Sequence, residues 1–191
     1  MLDMSSHAYR KDFIQLPKEF PFDCYEVSVF DGGNPVLHFH DCLELNYICE
    51  GTGVNIIENA KFKMTPGELY VINNLEHHMA SSEGPLRTKV IVFDPKFIWQ
   101  YSSFDYEYLK PFYSRSISFS NRIGITNPYI EELRDLVMKI DTEWQLKQEG
   151  YKLVIKAKLM ELLAILYRHF KTNNELGGDV RSFHKSYDRI R

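Results

Sequence analysis

The chain has 191 residues, of which 44% are apolar and 14% aromatic; this is enough for one packed domain with at most a small appendage, and it excludes a disordered chain. A net charge of −3 excludes a protein whose whole surface is basic toward nucleic acid. No apolar run is long enough to span a bilayer, residues 1–18 lack a signal-peptide core, and the cysteines (Cys24, Cys42, Cys49) are odd in number with no Cys-x-x-Cys pair, so a reduced, cytoplasmic protein with no membrane partner is expected.

Residues 1–21 are polar and without period, and read as an N-terminal arm or a first irregular strand. Residues 22–126 carry most of the strand signals. Phe22 to Phe30 mixes aromatic and β-branched residues, and Asp31-Gly32-Gly33-Asn34-Pro35 is a dense turn signal. Strands are predicted over Val36 to His40, Leu43 to Glu50, Val54 to Glu58, Phe62 to Met64, Leu69 to Ile72, His78 to Ser81 and Arg87 to Phe93. Gly51-Thr52-Gly53, Asn59-Ala60-Lys61, Thr65-Pro66-Gly67 and Ser82-Glu83-Gly84-Pro85 punctuate them. Many short strands at near-even spacing argue a mainly β protein, a closed barrel or sandwich.

The character changes at Asp94-Pro95, which reads as a cap and first helical residue. Tyr101 to Ser120 is aromatic-rich and aperiodic, a connection expected to cap the barrel, and Arg122 to Ile125 reads as one more short strand. Residues 127–172 hold two C-terminal helices. The first starts at Asn127-Pro128 and repeats Ile130, Leu133, Val137, Ile140 and Trp144; Gly150 interrupts. The second carries a stripe of Leu159, Leu162, Leu163, Leu166, Tyr167 and Phe170, widened by Val154, Ile155, Met160, Ala164 and Ile165. An almost all-round apolar helix needs cover on two sides, so this stripe is expected at a homodimer interface; the alternative is a central core helix. Residues 173–191 read as a linker. From Tyr151 onward nine Lys/Arg face four Asp/Glu, which points the tail toward nucleic acid or, more plainly, solvates helix faces.

The chemistry gathers in one stretch. His38 and His40 share a face on an extended strand, and Glu44 has the same parity. An unbent strand carries Glu44 roughly 13 Å beyond His40, so the three meet only if the chain bends near Asp41-Cys42. His78 must then arrive from another strand; adjacent residues alternate face, so at most one of His77 and His78 points inward, and the spacing from Gly67 favours His78. The set can hold a divalent ion (Zn, Ni, Fe or Mn), hydrogen-bond a small polar ligand, or satisfy a barrel rim. Tyr25, Tyr47 and Tyr70, with Phe39 and Trp99, are candidate ligand-stacking rings, each otherwise core. Arg87 and Lys89 are expected on the outer barrel face.

Gly32, His38, His40, Glu44 and Gly51 match the spacing of the first cupin motif at every fixed position. In the second motif Pro66-Gly67-Glu68 and His78 fit, but Asn73 and Leu75 stand where Pro and Gly are usual, and Ser82 where Asn is usual. The chain therefore resembles the cupins over roughly Phe22 to Phe97, which implies a double-stranded β-barrel, or jelly-roll. The wording His40-Asp41-Cys42-Leu43-Glu44-Leu45-Asn46-Tyr47 through Gly51-Thr52-Gly53, then Pro66-Gly67-Glu68-Leu69-Tyr70-Val71-Ile72-Asn73, is similar to the effector-binding domain of AraC-type transcription regulators. That resemblance implies a dimeric sensor of a small, sugar-like effector, an arm that folds over it, and DNA contact only through a pair of helix-turn-helix motifs that this chain does not contain. On that reading the chain is not an enzyme. The alternative is a metal-dependent cupin enzyme, a dioxygenase or isomerase, with His38, His40, Glu44 and His78 as ligands.

Overall fold

Alternation along the strands creates two faces, and in the computed structural model two sheets meet face to face while helices cover the outer face of one of them. The structure describes residues 10–29, 36–82, 84–98, 108, 111 and 117–173. Its strands are β1 (Arg10–Lys11), β2 (Phe22–Val29), β3 (His38–Phe39), β4 (Leu43–Glu50), β5 (Gly53–Ile57), β6 (Ala60–Met64), β7 (Leu69–Ile72), β8 (His78–Ser82), β9 (Leu86–Phe93), β10 (Ile117–Phe119), β11 (Arg122–Ile123) and β12 (Lys171–Asn173). Two helices follow the barrel, α1 (Ile130–Leu146) and α2 (Tyr151–His169). One sheet has the order β1-β3-β8-β5-β6 and the other β11-β7-β4-β9-β2. This is the cupin barrel expected from the spacing, mainly β with two C-terminal helices.

The inner faces meet in an apolar layer of Ile48, Tyr70, Ile72 and Leu86 from the second sheet and Ile57 and Met64 from the first. The outer face of the second sheet gives Leu43, Leu45, Leu69, Val71, Ile91 and Phe93 to the largest core, where α1 and α2 cover them. Pro95–Phe97 forms a single 3-10 turn, with the Lys96 amide donating to Asp94 Oδ1 at 2.8 Å. Asn127 Oδ1 accepts the Tyr129 amide at 3.0 Å and closes the turn before α1. Gly150 separates the helices with φ at +81°, a conformation that favours glycine.

The expected dimerisation stripe lies inside the chain. Leu159, Leu162, Leu166 and Phe170 are buried in the main core, and Leu163 and Tyr167 pack against it partly buried. The covering surface is α1 with the rest of the chain's own main core, which periodicity along one helix cannot distinguish from a partner. The large apolar side chains that α2 leaves exposed are Leu153, at 73%, Val154 and Met160. Beyond α2 the chain does not pass directly into a linker: β12 pairs antiparallel with β10, Phe119 against Lys171. The Gly32-Gly33 turn, Trp99, most of the aromatic connection and residues 174–191 lie outside the described residues.

Lys89 and Arg87 occupy the outer face, as parity predicts. Arg87 is half-buried beside Glu50 and Glu26, whereas Lys89 is buried to 8% exposure. Lys89 Nζ meets Asp141 Oδ2 at 2.9 Å and Glu26 Oε2 at 3.4 Å, and Cys24 Sγ lies 3.6 Å from Asp141 Oδ1. Removing Asp141 leaves the buried ammonium with only the longer Glu26 contact. Asp141→Ala is therefore expected to cost about 3 kcal/mol, and Lys89→Met, which removes the charge and keeps the volume, distinctly less; urea titration of both variants checks this.

Candidate metal centre

The site forms where one strand leaves the first sheet and enters the second. β3 pairs with β8, with His38 opposite His78. The chain leaves the sheet after Phe39, bends at Asp41-Cys42, and enters β4 at Leu43 in the other sheet. Lys11 Nζ holds Asp41 Oδ2 at 2.9 Å across this bend. β1 runs parallel to β3, Arg10 beside His38, so residues 10–11 border the site. The bend removes the separation that an extended strand would impose: Glu44 Oε2 lies 3.0 Å from His40 Nε2.

The three imidazoles are held alike. Nδ1 of His38 faces Val36 O at 2.9 Å, Nδ1 of His40 faces Cys42 O at 3.1 Å, and Nδ1 of His78 faces Glu76 O at 3.0 Å. A carbonyl only accepts, so each Nδ1 carries a proton and the second nitrogen of each ring, Nε2, is the one left to face the site. One ligating nitrogen from each of the three rings lies within 4.8 Å of the others. The Nε2 of His78 is buried with no hydrogen-bond partner, and Glu44 Oε1 lies 3.8 Å away. Three backbone-anchored imidazoles with a carboxylate fit a divalent ion of the nitrogen- and oxygen-liking kind, Zn, Ni, Fe or Mn.

Burial alone would push the Glu44 carboxyl up. The His40 hydrogen bond, the His78 and His40 rings and the Asn46 amide outweigh it and hold the group down to about 2. Asn46 Nδ2 donates to Glu44 Oε1 at 2.7 Å. Burial lowers His78 to about 4, against the pull of Glu44 and the Glu76 carbonyl. Both groups bind fewer protons folded than unfolded at acid pH. The metal-free protein is thus expected to keep their full contribution above pH 6.5, losing His78's part between pH 6.5 and 4 and Glu44's between 4.5 and 2. Chemical denaturation across this range tests it; a stability that stays flat from pH 7 to 4 contradicts the assignment.

The predicted residues divide. His38, His40, Glu44 and His78 come together. His77 points to Glu58, 3.3 Å away, and its ring lies against Phe39. Tyr25 stands opposite Val90 on the inner side of β2, near enough that Glu44 adds to the burial that raises its phenol to about 12. Tyr47 lies on the opposite face of β4 from Glu44 and packs with the helix-covered core. Tyr70 is fully buried, its hydroxyl donating to Glu68 Oε2 at 2.7 Å, and Glu68 is paired with Arg122. Neither ring reaches the imidazole cluster. Asn46 was not singled out from sequence, although its two-residue offset from Glu44 places it on the same face.

Among known proteins, the sequence model of the family described as AraC-like ligand binding domain matches residues 34–163, more than half of the chain. The chain is also similar to the L-ectoine synthase of Bordetella petrii, 32% identical over 77 residues, which is 39% of this chain and 57% of that protein. The L-ectoine synthase of Rhodococcus erythropolis is 26% identical over 76 residues, again 39% of this chain and 57% of the relative. The chain thus spans little more than half the length of the curated relatives it matches. The ectoine synthase from P. lautus has a solved structure with a TM-score of 0.36 and 19% identity, covering 39% of this chain and 55% of that one. A cupin superfamily protein from Desulfitobacterium hafniense gives 0.37 and 17%, over 42% and 74%. These names correct the expectation that the chain is not an enzyme: relatives at up to 32% identity are synthases. The physical reason for the misreading is that one His-x-His and Glu arrangement serves both a binding barrel and a catalytic one, so its spacing does not separate them.

Proposed function

The chain belongs to the family of AraC-like ligand binding domains, and from that premise we propose that its barrel holds one divalent metal ion and acts as a metal-dependent cupin enzyme on a small polar molecule. The observation that carries this reading is the common anchoring of His38, His40 and His78 by backbone carbonyls at Nδ1, which leaves their Nε2 atoms to face one another beside Glu44. The similarity to L-ectoine synthases supports catalysis over binding alone. When bound, the ion would supply Lewis-acid polarisation of a substrate oxygen or nitrogen.

The chain's own groups divide the remaining work. His38, His40 and His78 hold the ion. Glu44, anionic at neutral pH, completes the shell or accepts a proton, and Asn46 Nδ2 fixes its orientation. Val90, Val92 and Ile72 keep the inner wall apolar and exclude water. Tyr25 stays protonated at neutral pH and is available as a donor.

The test is elemental analysis of untagged protein, followed by an NMR assay of the metal-loaded protein for formation or consumption of L-ectoine and for turnover of a panel of polyols and amino acids. Stoichiometric metal with turnover of any of these supports the proposal. Protein that takes up no metal sinks it.

Effector sensing is the second reading, and one observation favours it: the family match runs to residue 163, well into α2, while the synthase match covers 39% of the chain. On this reading a small effector replaces substrate, a homodimer uses the apolar residues that α2 leaves exposed, and DNA is reached through a further domain. A panel member that stabilises the protein by mass action without being consumed, roughly 2.7 kcal/mol at a hundredfold excess over its dissociation constant, favours sensing.

A further inference from the structure

One turn touches two of the three histidines, His78 at its ring and His40 at its backbone carbonyl. Residues 73–78 cross from the second sheet to the first, between β7 and β8. The Glu76 carbonyl accepts His78 Nδ1–H at 3.0 Å. One residue earlier, the Leu75 amide donates to the His40 carbonyl at 3.0 Å. Leu75 adopts φ of +61°, a conformation unfavourable for a branched side chain, so something outside residue 75 holds this turn.

That constraint is the Glu76 side chain. Its Oε2 accepts the Asn73 amide at 2.8 Å and Asn121 Nδ2 at 2.7 Å, and its Oε1 accepts Asn73 Nδ2 at 3.0 Å. Asn73 is itself clamped, with Oδ1 accepting the Phe119 amide at 2.8 Å and Nδ2 donating to Phe119 O at 3.0 Å. Asn121 Nδ2 also donates to Val71 O at 2.9 Å. The carboxylate therefore ties the turn to β7 and to the segment that carries β10 and β11, which β12 braces from the far end of α2.

We propose that Glu76, together with Asn73 and Asn121, is the positioning device of this site: its carboxylate closes the 73–76 turn so that Leu75 N–H and Glu76 O set the placement of His40 and His78. Glu76 touches neither ion nor substrate; it acts through the His78 ring and the His40 backbone. The metal-binding arm of the test rests on the metal reading above.

The experiment compares wild type with Glu76→Ala, Glu76→Gln and Asn121→Ala, and with Asp141→Asn as a variant altered far from the site. The probe is Co(II), followed by its visible spectrum and by competition with a chelator well below each protein's unfolding temperature. Long-range 1H–15N spectra of the imidazoles are recorded on the metal-free proteins. Glu76→Ala and Asn121→Ala are expected to bind Co(II) roughly 10- to 100-fold more weakly with a changed spectrum, the range found when groups behind metal ligands are removed. Glu76→Gln, which keeps one acceptor oxygen, should fall between, and Asp141→Asn should lose stability alone. In the metal-free spectra His78 should be a single Nδ1–H tautomer in wild type and a mixture in Glu76→Ala. Wild-type affinity, spectrum and tautomer in Glu76→Ala overturn the proposal. If wild type binds no Co(II), the metal reading fails by itself, and the tautomer comparison still decides the role of Glu76.

Discussion

Protein carrying His40→Ala is expected to hold Co(II) or Zn(II) on the order of a thousandfold more weakly than wild type. Removing a group behind a ligand already costs 10- to 100-fold, and a ligand itself costs more. His40 is the ring with most to lose. It is 2% exposed, its Nδ1 is anchored on Cys42 O, and its Nε2 meets Glu44 Oε2. Removing it also leaves Glu44 buried with one partner fewer, so the metal-free protein should lose stability as well, by about 1–3 kcal/mol. His77→Ala is the matched comparison: that ring sits next to His78 in sequence but turns to Glu58, and its loss should leave metal affinity within about twofold, since exposed pairs of this kind contribute little. Chelator competition on the two variants checks both halves. Equal losses in both would mean that the histidines act through the fold and not as ligands.

The second large effect is expected at Gly51. Its φ is +81°, and a Cβ built there would sit 1.9 Å from Pro85 O and 2.9 Å from Leu86 Cα. Those are backbone atoms at the start of β9, paired with β4 beside the irregularity at Ile48 and Glu50, and they cannot swing aside as a side chain could. Left-handed backbone costs about 1–2 kcal/mol for a residue with Cβ, and overpacking adds typically 1–3 kcal/mol. Gly51→Ala should thus lose about 3–5 kcal/mol, or fail to accumulate as folded protein. Gly84→Ala meets nothing within 4 Å and should be near neutral. Thermal unfolding of the pair reads the difference directly. A mild Gly51→Ala would show that the β4–β9 junction can spread.

Gly51 also shows how a motif position becomes physical. Spacing alone marks it as the last fixed residue of the cupin-like pattern; the contact with Pro85 O says why only glycine fits there.

Much of this molecule was legible in the chain itself. Alternation and turn residues place β4, β7 and β9 within a residue of where they form. Parity and reach together require a bend at Asp41-Cys42 and allow only one of His77 and His78 to point inward, and the spacing from Gly67 favours His78. These are local quantities, set by two residues per strand repeat and about 3.3 Å per step, and no distant contact alters them. The tertiary structure decided the rest. Parity assigns Tyr47 and Glu44 to opposite faces but does not say which face a helix will cover. The stripe of Leu159, Leu162 and Leu166 has the same period whether its own chain or a second one covers it. The turn at Leu75 and Glu76 looks like a polar loop in a weak motif, because its partners Phe119 and Asn121 lie some 45 residues away. Local periodicity reports which side chains share a face; only the packed fold reports what that face meets.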